Sequence, residues 1–179
     1  MAILEVNHRR AFREDAHALG HIQVTSWRSA FRGIASDEYL DHMVSEEQQS
    51  GDWKEILADS KQVVIVAELE DQPVGYAWAH REDDPAISWD AELISMHILP
   101  EFKRQGIGQR LFSAAAKRLK EQGCKSVYLW VLEANHSART FYEKLGGLPA
   151  GEHQIELGDR ELTEVAYGWK DIEQLEIFE

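Results

Sequence analysis

The stretch from Trp89 to Lys125 constrains the fold of this chain more than any other. An apolar run from Leu93 to Leu99 stops at Pro100, and a short loop then leads to Gly106-Ile107-Gly108. A helical pattern follows at once, with apolar residues at helix spacing: Ile107, Leu111, Ala115 and Leu119. Gly123 stands where a helix-ending glycine belongs. The stretch therefore predicts a strand, a tight glycine loop and a helix in direct succession.

Such a unit is suited to binding an anion. The first N–H groups of a helix lack partners within the helix, the helix dipole makes that end positive, and glycines let a ligand approach the backbone. Basic residues also dominate this stretch, although the chain as a whole carries a net charge of −13. They are Lys103, Arg104, Arg110, Lys117, Arg118, Lys120 and Lys125. We therefore expect the loop to bind a phosphate group.

Two other phosphate-binding motifs do not fit this loop. A P-loop requires glycine, lysine and then serine or threonine, whereas Gly108 is followed by Gln109 and Arg110. A dinucleotide-binding turn requires a third glycine or alanine three residues after the second, and Leu111 occupies that position. The loop therefore matches neither of these two phosphate-binding motifs, and a solvated basic helix face is the alternative to an anion site.

The loop and a later segment together resemble the GCN5-related N-acetyltransferase (GNAT) family. The loop of that family reads [RQ]-x-x-G-x-[GA], and the segment 103–108 matches it except for lysine at the first position. A second family motif follows at the expected distance, as Leu132-Glu133-Ala134-Asn135, then Ala138, then the segment from Phe141 to Gly146. The resemblance implies direct transfer of an acetyl group from acetyl-CoA to a primary amine of a small molecule or peptide. Another acyl group, an alcohol acceptor or a CoA-binding regulatory module without transfer stays open.

The order of predicted elements agrees with the architecture of that family. The predicted strands are Leu4–Arg10, Val63–Leu69, Val74–His80, one that begins near Trp89 and ends at Leu99, Ser126–Val131, Glu152–Leu157 and Glu161–Trp169, and the predicted helices span 14–31, 37–43, 45–58, 107–122 and 135–145. A helix between two strands implies a parallel pair, and hairpins imply antiparallel ones. The predicted fold class is α/β, with a mixed, mostly antiparallel central sheet and flanking helices. The resemblance adds that the parallel strand pair splays apart to admit acetyl-CoA.

The resemblance also implies which residues contact the cosubstrate. A strand that splays from its neighbour leaves N–H groups unpaired, and one of these is expected to donate to the acetyl carbonyl. The expected contacts are Met96, His97, Ile98, Lys103, Arg104, Gln105, Gly106, Ile107, Gly108, Gln109, Asn135 and Tyr142.

Acetyl transfer further needs an acid and a base. The leaving thiolate gains from a proton donor, and Tyr142 matches the tyrosine of the second family motif. The acceptor amine must lose a proton, and Glu92 matches the glutamate base that some family members carry on the strand before the loop. Asp90, which alternation places on the same strand face, or a water molecule is the substitute.

The helical region near the N-terminus overlies the acceptor site in the family. By that resemblance, three aromatic residues are expected to line the acceptor pocket: Trp27, Phe31 and Tyr39. Packing in the hydrophobic core is the alternative role for each of them.

Composition bounds the remaining questions. The length predicts one N-acetyltransferase domain over residues 1–179, with a short acidic tail at 171–179. Cys124 is the only cysteine, so no internal disulfide can form, and with no signal-peptide pattern at the N-terminus this favours the cytoplasm. No apolar run is long enough to span a membrane, no histidine or cysteine pattern predicts a metal site, and the acidic balance argues against a nucleic-acid partner. A homodimer stays open.

Overall fold

A computed structural model describes residues 6–175, and its framework is one sheet of seven strands in the order β1-β2-β3-β4-β5-β7-β6. The strands are β1 (Val6–Arg10), β2 (Gln62–Leu69), β3 (Gln72–Arg81), β4 (Ala91–Ile98), β5 (Val127–Leu132), β6 (Leu148–Leu157) and β7 (Arg160–Trp169). All neighbouring strands are antiparallel except β4 and β5, which are parallel. The predicted mixed, mostly antiparallel sheet with one parallel pair is confirmed.

Helices cover both faces of this sheet. They are α1 (Ala16–Ala30), α2 (Glu46–Ile56), α3 (Ile107–Glu121) and α4 (His136–Lys144). Alternate residues of β2 serve two cores, because successive side chains of a strand point to opposite faces. Val64 and Val66 join the core under α1 and α2, whereas Val63 and Ile65 join the core under α3.

The helix after the glycine loop forms as its sequence pattern predicts. The predicted apolar stripe, Ile107, Leu111, Ala115 and Leu119, is buried in the core on the α3 face of the sheet. Gly123 follows the helix with a φ of 88°, a left-handed conformation that glycine adopts without strain. Both ends of the predicted helix are thus confirmed to within a residue or two.

The segment between α1 and α2 differs from the helix predicted for residues 37–43. A short helical turn widens into π geometry over Tyr39–Met43. The predicted cap is present, since the Ser36 hydroxyl accepts a hydrogen bond from the Tyr39 N–H at 3.4 Å. Tyr39 packs on the turn between β6 and β7, where a Cβ atom on Gly158 would stand 2.8 Å from that of Tyr39. This contact joins distant parts of the chain, so local sequence patterns do not reveal it.

The first strand of the last hairpin starts earlier than predicted. β6 begins at Leu148 instead of Glu152, and its early residues pair with the end of β7. Proline and glycine at positions 149 and 151 argue against a strand, but β6 is an edge strand and a register shift between Pro149 and Gly151 accommodates them.

Parts of the two predicted chain ends lie outside the described residues. Residues 4 and 5 of the first predicted strand are among these, as is segment 176–179 of the predicted acidic tail. The described part of that tail forms a 3₁₀ turn, Ile172–Gln174, in which Ile172 is buried and its N–H donates to the Lys125 carbonyl at 2.9 Å.

Candidate active site

The parallel strands β4 and β5 separate soon after they meet. One residue pair, Glu92 with Tyr128, is in register between them, whereas β3 stays paired with β4 as far as Ile98. The gap between residues 93–98 of β4 and 129–132 of β5 is called the opening below. The splayed pair expected from the family resemblance is therefore present, and the opening lies at the end of β4 that leads into the glycine loop.

The glycine loop presents a row of backbone donors. Gly106 has a φ of 80° and Arg104 a φ of 62°, so the chain turns sharply before α3 begins. Within the described residues, none of the N–H groups from Arg104 to Gln109 donates to a protein acceptor. Successive free N–H groups at a helix start form an anion site. This geometry fits the pyrophosphate of acetyl-CoA.

The two glycines of the loop differ in their surroundings. A Cβ atom on Gly106 would meet nothing within 4 Å, so this position is open to a ligand. A Cβ atom on Gly108 would instead stand 3.1 Å from Cζ of Phe141 and 3.5 Å from Cδ1 of Ile98. Gly108 therefore allows α3 to pack closely against α4, in addition to contributing its N–H group.

Basic side chains beside the loop are available to a ligand, whereas some at the far end of α3 are not. Arg118 pairs with Glu121 at 2.8 Å, and Lys120 pairs with Glu173 at 3.6 Å. Within residues 6–175, neither Lys103 nor Arg104 forms an ion pair. Unpaired positive charge is thus present where the backbone donors are.

Tyr142 occupies a protected position on α4. Its side chain is 8 % exposed, and its ring lies 5.2 Å from that of Phe141 and 6.3 Å from that of Trp169. Burial raises the pKa of Tyr142 above its usual value of 10. The hydroxyl group consequently stays protonated at neutral pH, as a general acid must.

Asn135 performs a structural task at the start of α4. Its side-chain oxygen accepts a hydrogen bond from the Ala138 N–H at 3.2 Å and so caps the helix. This cap fixes the start of the helix that carries Tyr142. A contact between Asn135 and acetyl-CoA stays a prediction.

Glu92 lies at the closed end of the opening. Its side chain is 23 % exposed, and its Oε2 atom accepts a hydrogen bond from the Tyr128 hydroxyl at 3.2 Å. The same Oε2 atom lies 3.7 Å from Nε2 of His80 on the adjacent strand. The Oε1 atom forms no hydrogen bond with another described residue, which leaves it available to an amine.

Asp90, the substitute base, is already engaged. Its carboxylate accepts hydrogen bonds from the N–H groups of Lys125 at 2.7 Å and Ser126 at 3.1 Å. These bonds, with that of Lys125 the strongest, lower the pKa of Asp90 below its usual value. The geometry is that of a carboxylate joining the starts of β4 and β5, and it favours Glu92 as the proton acceptor.

His97 contributes a side chain that sequence reasoning missed, since only its backbone was considered. Its Nε2 atom accepts a hydrogen bond from the Trp27 Nε1–H at 2.9 Å. Burial, and to a smaller extent the charge of Lys103, lowers the pKa of His97 to about 3. The ring is therefore neutral, with its proton on Nδ1. Ser26 on the same helix donates to the Ile98 carbonyl at 2.7 Å, so two bonds tie α1 to the end of β4.

The aromatic residues expected at the acceptor pocket fall into two places. Trp27 and Phe31 are half-buried neighbours, with ring centroids 5.6 Å apart, and Trp27 reaches His97 on β4. Tyr39 lies instead against the β6–β7 turn. The Arg160 side chain at the start of β7 donates to the Ile34 carbonyl at 2.7 Å. The segment after α1 and the β6–β7 hairpin therefore contact each other.

Comparison with known proteins decides the family. The acetyltransferase (GNAT) family profile matches residues 19–147, which include α3, the glycine loop and α4. The chain belongs to the GNAT family. As a GNAT enzyme it is an N-acetyltransferase that uses acetyl-CoA as its cosubstrate.

Individual relatives and structures agree with this placement. The chain is 31 % identical over 168 residues to the uncharacterized N-acetyltransferase YuaI of Bacillus subtilis, covering 93 % of this chain and 94 % of that protein. It is 25 % identical over 147 residues to a spermidine N(1)-acetyltransferase of Thermoplasma acidophilum, covering 80 % and 88 %. In structure it is similar to the PaiA N-acetyltransferase of the same organism in complex with coenzyme A, with a TM-score of 0.71, 21 % identity, and coverage of 90 % and 98 %.

No helix within residues 6–175 is both long enough and apolar enough to cross a lipid bilayer.

Proposed function

We propose that this GNAT enzyme transfers the acetyl group directly to a cationic primary amine, with Glu92 as the base and Tyr142 as the acid. The observation that carries the proposal is the position of Glu92 at the closed end of the opening. One of its carboxylate oxygens is held by Tyr128, and the other is free. A base at this place can reach an amine that enters the opening from the side opposite the cosubstrate.

The chemistry follows from what the amine and the thioester need. An alkyl amine of the lysine type has a pKa of about 10.4, so it must lose a proton before it can attack. Glu92 accepts that proton. The charge that develops on the thioester oxygen is stabilised by backbone N–H groups of Met96 to Ile98, and Tyr142 protonates the departing thiolate.

Direct transfer is supported by the location of the one cysteine. Cys124 is buried just beyond the end of α3 that lies opposite the glycine loop, and its thiol lies 3.6 Å from the Asp90 carbonyl. Burial raises the pKa of the Cys124 thiol, which disfavours the reactive thiolate. An acetyl-cysteine intermediate on this residue is therefore not part of the mechanism. A buried free thiol also supports a reducing compartment such as the cytoplasm.

The acceptor that we favour is a polyamine. Two acidic side chains follow the end of β3 near the base: Glu82, whose carboxylate lies 4.0 Å from Nε2 of His80, and Asp83, which pairs with Lys61. A second ammonium group on the acceptor would be attracted to this charge. Similarity to an enzyme named for spermidine supports the same choice. A peptide amine is the other acceptor class.

The test is the release of CoA from acetyl-CoA in the presence of an amine panel. The panel contains spermidine, lysine, a peptide with a free N-terminus, and an alcohol analogue as the control. We expect spermidine to give the fastest release, with mass spectrometry showing acetylspermidine. Fastest release with the peptide would reassign the acceptor, and release with none of the amines would contradict amine transfer. Propionyl-CoA in place of acetyl-CoA tests the preference for the acyl group.

A further inference from the structure

Glu92, the proposed base, lies in a row with one side chain from each of its two neighbouring strands. His80 on β3 is the direct cross-strand neighbour of Glu92, and Tyr128 on β5 is its neighbour on the other side. Tyr128 and His80 both face the Oε2 atom of Glu92, at 3.2 Å and 3.7 Å. The row is called the His80–Glu92–Tyr128 row below. In it, Oε2 faces the protein and Oε1 is left for the acceptor.

His80 has an unexplained nitrogen atom. Its Nε2 is shielded from solvent and has no hydrogen-bond partner among the described residues. Such an atom costs free energy and calls for an explanation in function or in a bound water or ion. The 3.7 Å separation from Glu92 is slightly longer than a hydrogen bond, and a small movement of either side chain closes it.

Acetyl transfer to an ammonium group leaves one proton to be removed. Of the three hydrogens on the nitrogen, one remains in the amide product and one ends on the sulfur of CoA. The third must reach the solvent, because Glu92 has to be a carboxylate again before the next turnover. The proton arrives on the oxygen that faces the acceptor, and rotation of the carboxyl group about its Cγ–Cδ bond then brings the protonated oxygen into the Oε2 position, towards His80.

We propose that His80 acts through Glu92 as a positioning residue, taking the proton from Oε2 onto Nε2 and releasing it to solvent. The proposal rests on the function proposed above, in which Glu92 is the base. The step is balanced, because the Glu92 O–H bond breaks as the His80 Nε2–H bond forms and the imidazolium then loses its Nδ1 proton to water. The neutral ring returns to the Nδ1–H tautomer by proton exchange before the next turnover. The His80 side chain is 30 % exposed, so its ring has access to solvent even though Nε2 does not.

The charges around His80 favour this role. Glu82 has a carboxylate oxygen 4.0 Å from Nε2, and Asp83 lies in the loop just beyond. Lys61, which directly precedes β2, pairs with Asp83 at 3.3 Å and partly offsets the charge of the Asp83 carboxylate. The Glu92 carboxylate is the main cause that raises the pKa of His80, and burial opposes it. His80 can therefore accept a proton near neutral pH.

The test compares His80→Gln with wild type in the pH profile of kcat, using spermidine or whichever amine of the panel releases CoA fastest. Gln keeps a polar side chain but cannot carry the proton. We expect kcat, measured over the same pH range, to fall in His80→Gln, and its acidic limb, which in wild type reports protonation of His80, to move to lower pH. Acetyl-CoA affinity in calorimetry should stay unchanged. A wild-type profile in His80→Gln would overturn the proposal.

The matched control is His21→Gln. His21 also faces a carboxylate, that of Glu46 at 3.2 Å, but it lies on the outer side of α1. It should retain the wild-type profile, and a shift equal to that of His80→Gln would overturn the specific role. Glu92→Gln distinguishes a wrong base from a wrong proton route. If Glu92→Gln lowers kcat while His80→Gln changes nothing, only the inference fails, and if Glu92→Gln itself is silent, the proposed base is wrong.

Two measurements do not depend on an acceptor. Histidine resonances followed by NMR should show His80 titrating at higher pH in wild type than in Glu92→Gln, and equal values would overturn the coupling.

A titration with Zn²⁺ tests the other explanation of the unpartnered Nε2 atom of His80, because ligand atoms of His80, Glu82 and Glu92 all lie within 4.8 Å of one another. Tight Zn²⁺ binding that His80→Gln abolishes would reassign the cluster as a metal site, and the absence of binding supports the proton route.

Discussion

Gly108 and Phe141 pack so closely that a Cβ atom on the glycine would stand 3.1 Å from Cζ of the phenylalanine. The contact joins the start of α3, which carries the backbone donors, to α4, in which Tyr142 follows Phe141 directly. The second glycine of the loop thereby helps to set the distance between the proposed phosphate site and the proposed acid. The first glycine, Gly106, instead allows the sharp turn before α3, at a position where an added Cβ atom would contact no other residue.

Substitutions of the two glycines should therefore have different effects on the enzyme. Gly108→Ala forces Phe141 to move and should lower the single-turnover rate of acetyl transfer more than it weakens acetyl-CoA binding. Gly106→Val places a β-branched side chain at a φ of 80°, in the space that the ligand needs. It should weaken binding in calorimetry by at least about tenfold, or about 1.4 kcal/mol. A Gly108→Ala enzyme with wild-type turnover and the extra helix stability that alanine normally brings would contradict the packing role.

The neutral state of His97 predicts how the fold responds to acid. Its folded-state pKa is about 3, below the value of 6.5 expected for a free side chain. Because that pKa is lowered, the unfolded chain binds the proton more readily. The stability that His97 contributes is complete above pH 6.5 and is lost as the pH falls from 6.5 towards about 3.

His97→Gln removes this titration while keeping an acceptor for the Trp27 N–H. The free energy of unfolding in urea should then fall less steeply with acid in the variant than in wild type over the same window. The difference between the two proteins is the informative quantity, because carboxylates such as Asp15 titrate in both. Burial raises the pKa of Asp15, but hydrogen bonds from Arg9 and from the Phe12 N–H together lower it below its usual value. A difference that does not change with pH would show that His97 is not buried in its neutral form.

Tyr142→Phe tests the acid. The hydroxyl is expected to act on the leaving thiolate, an interaction made mainly in the transition state, so kcat should fall by roughly 10²–10⁴-fold. Acetyl-CoA affinity should change little, because the ring and its packing on Trp169 remain. Single-turnover rates should be measured beside steady-state rates, since slow product release would hide the loss. An unchanged single-turnover rate would contradict the assignment.

Much of this fold could be predicted from the sequence. Helix periodicity and the glycines located α3 and its two ends, and the order of strands and helices implied the parallel pair. What local patterns could not supply were relationships set by strand register. His80 faces Glu92 from the adjacent strand, and Trp27 donates a hydrogen bond to His97. Both contacts depend on pairings between residues far apart in the chain.

The site was predictable where chemistry depends on the backbone, and less so where it depends on side chains. The free N–H groups of the glycine loop follow from the motif itself. By contrast, Asp90 and Glu92 look equivalent in sequence, two residues apart on one predicted strand. Only the structure shows that Lys125 and Ser126 occupy the Asp90 carboxylate and leave one Glu92 oxygen free.

The most direct test of the account is the single-turnover rate of acetyl transfer to spermidine, or to the fastest amine of the panel, measured against pH in wild type and Glu92→Gln. Glutamine preserves the shape of the side chain but cannot take a proton. The rate should be lower in Glu92→Gln by roughly 10²–10⁴-fold near neutral pH, with partial recovery as the pH rises, because more of the acceptor is then already neutral. Acetyl-CoA affinity should be unchanged in the same variant. A Glu92→Gln enzyme that transfers at the wild-type rate across this range would contradict the role of Glu92 as the base.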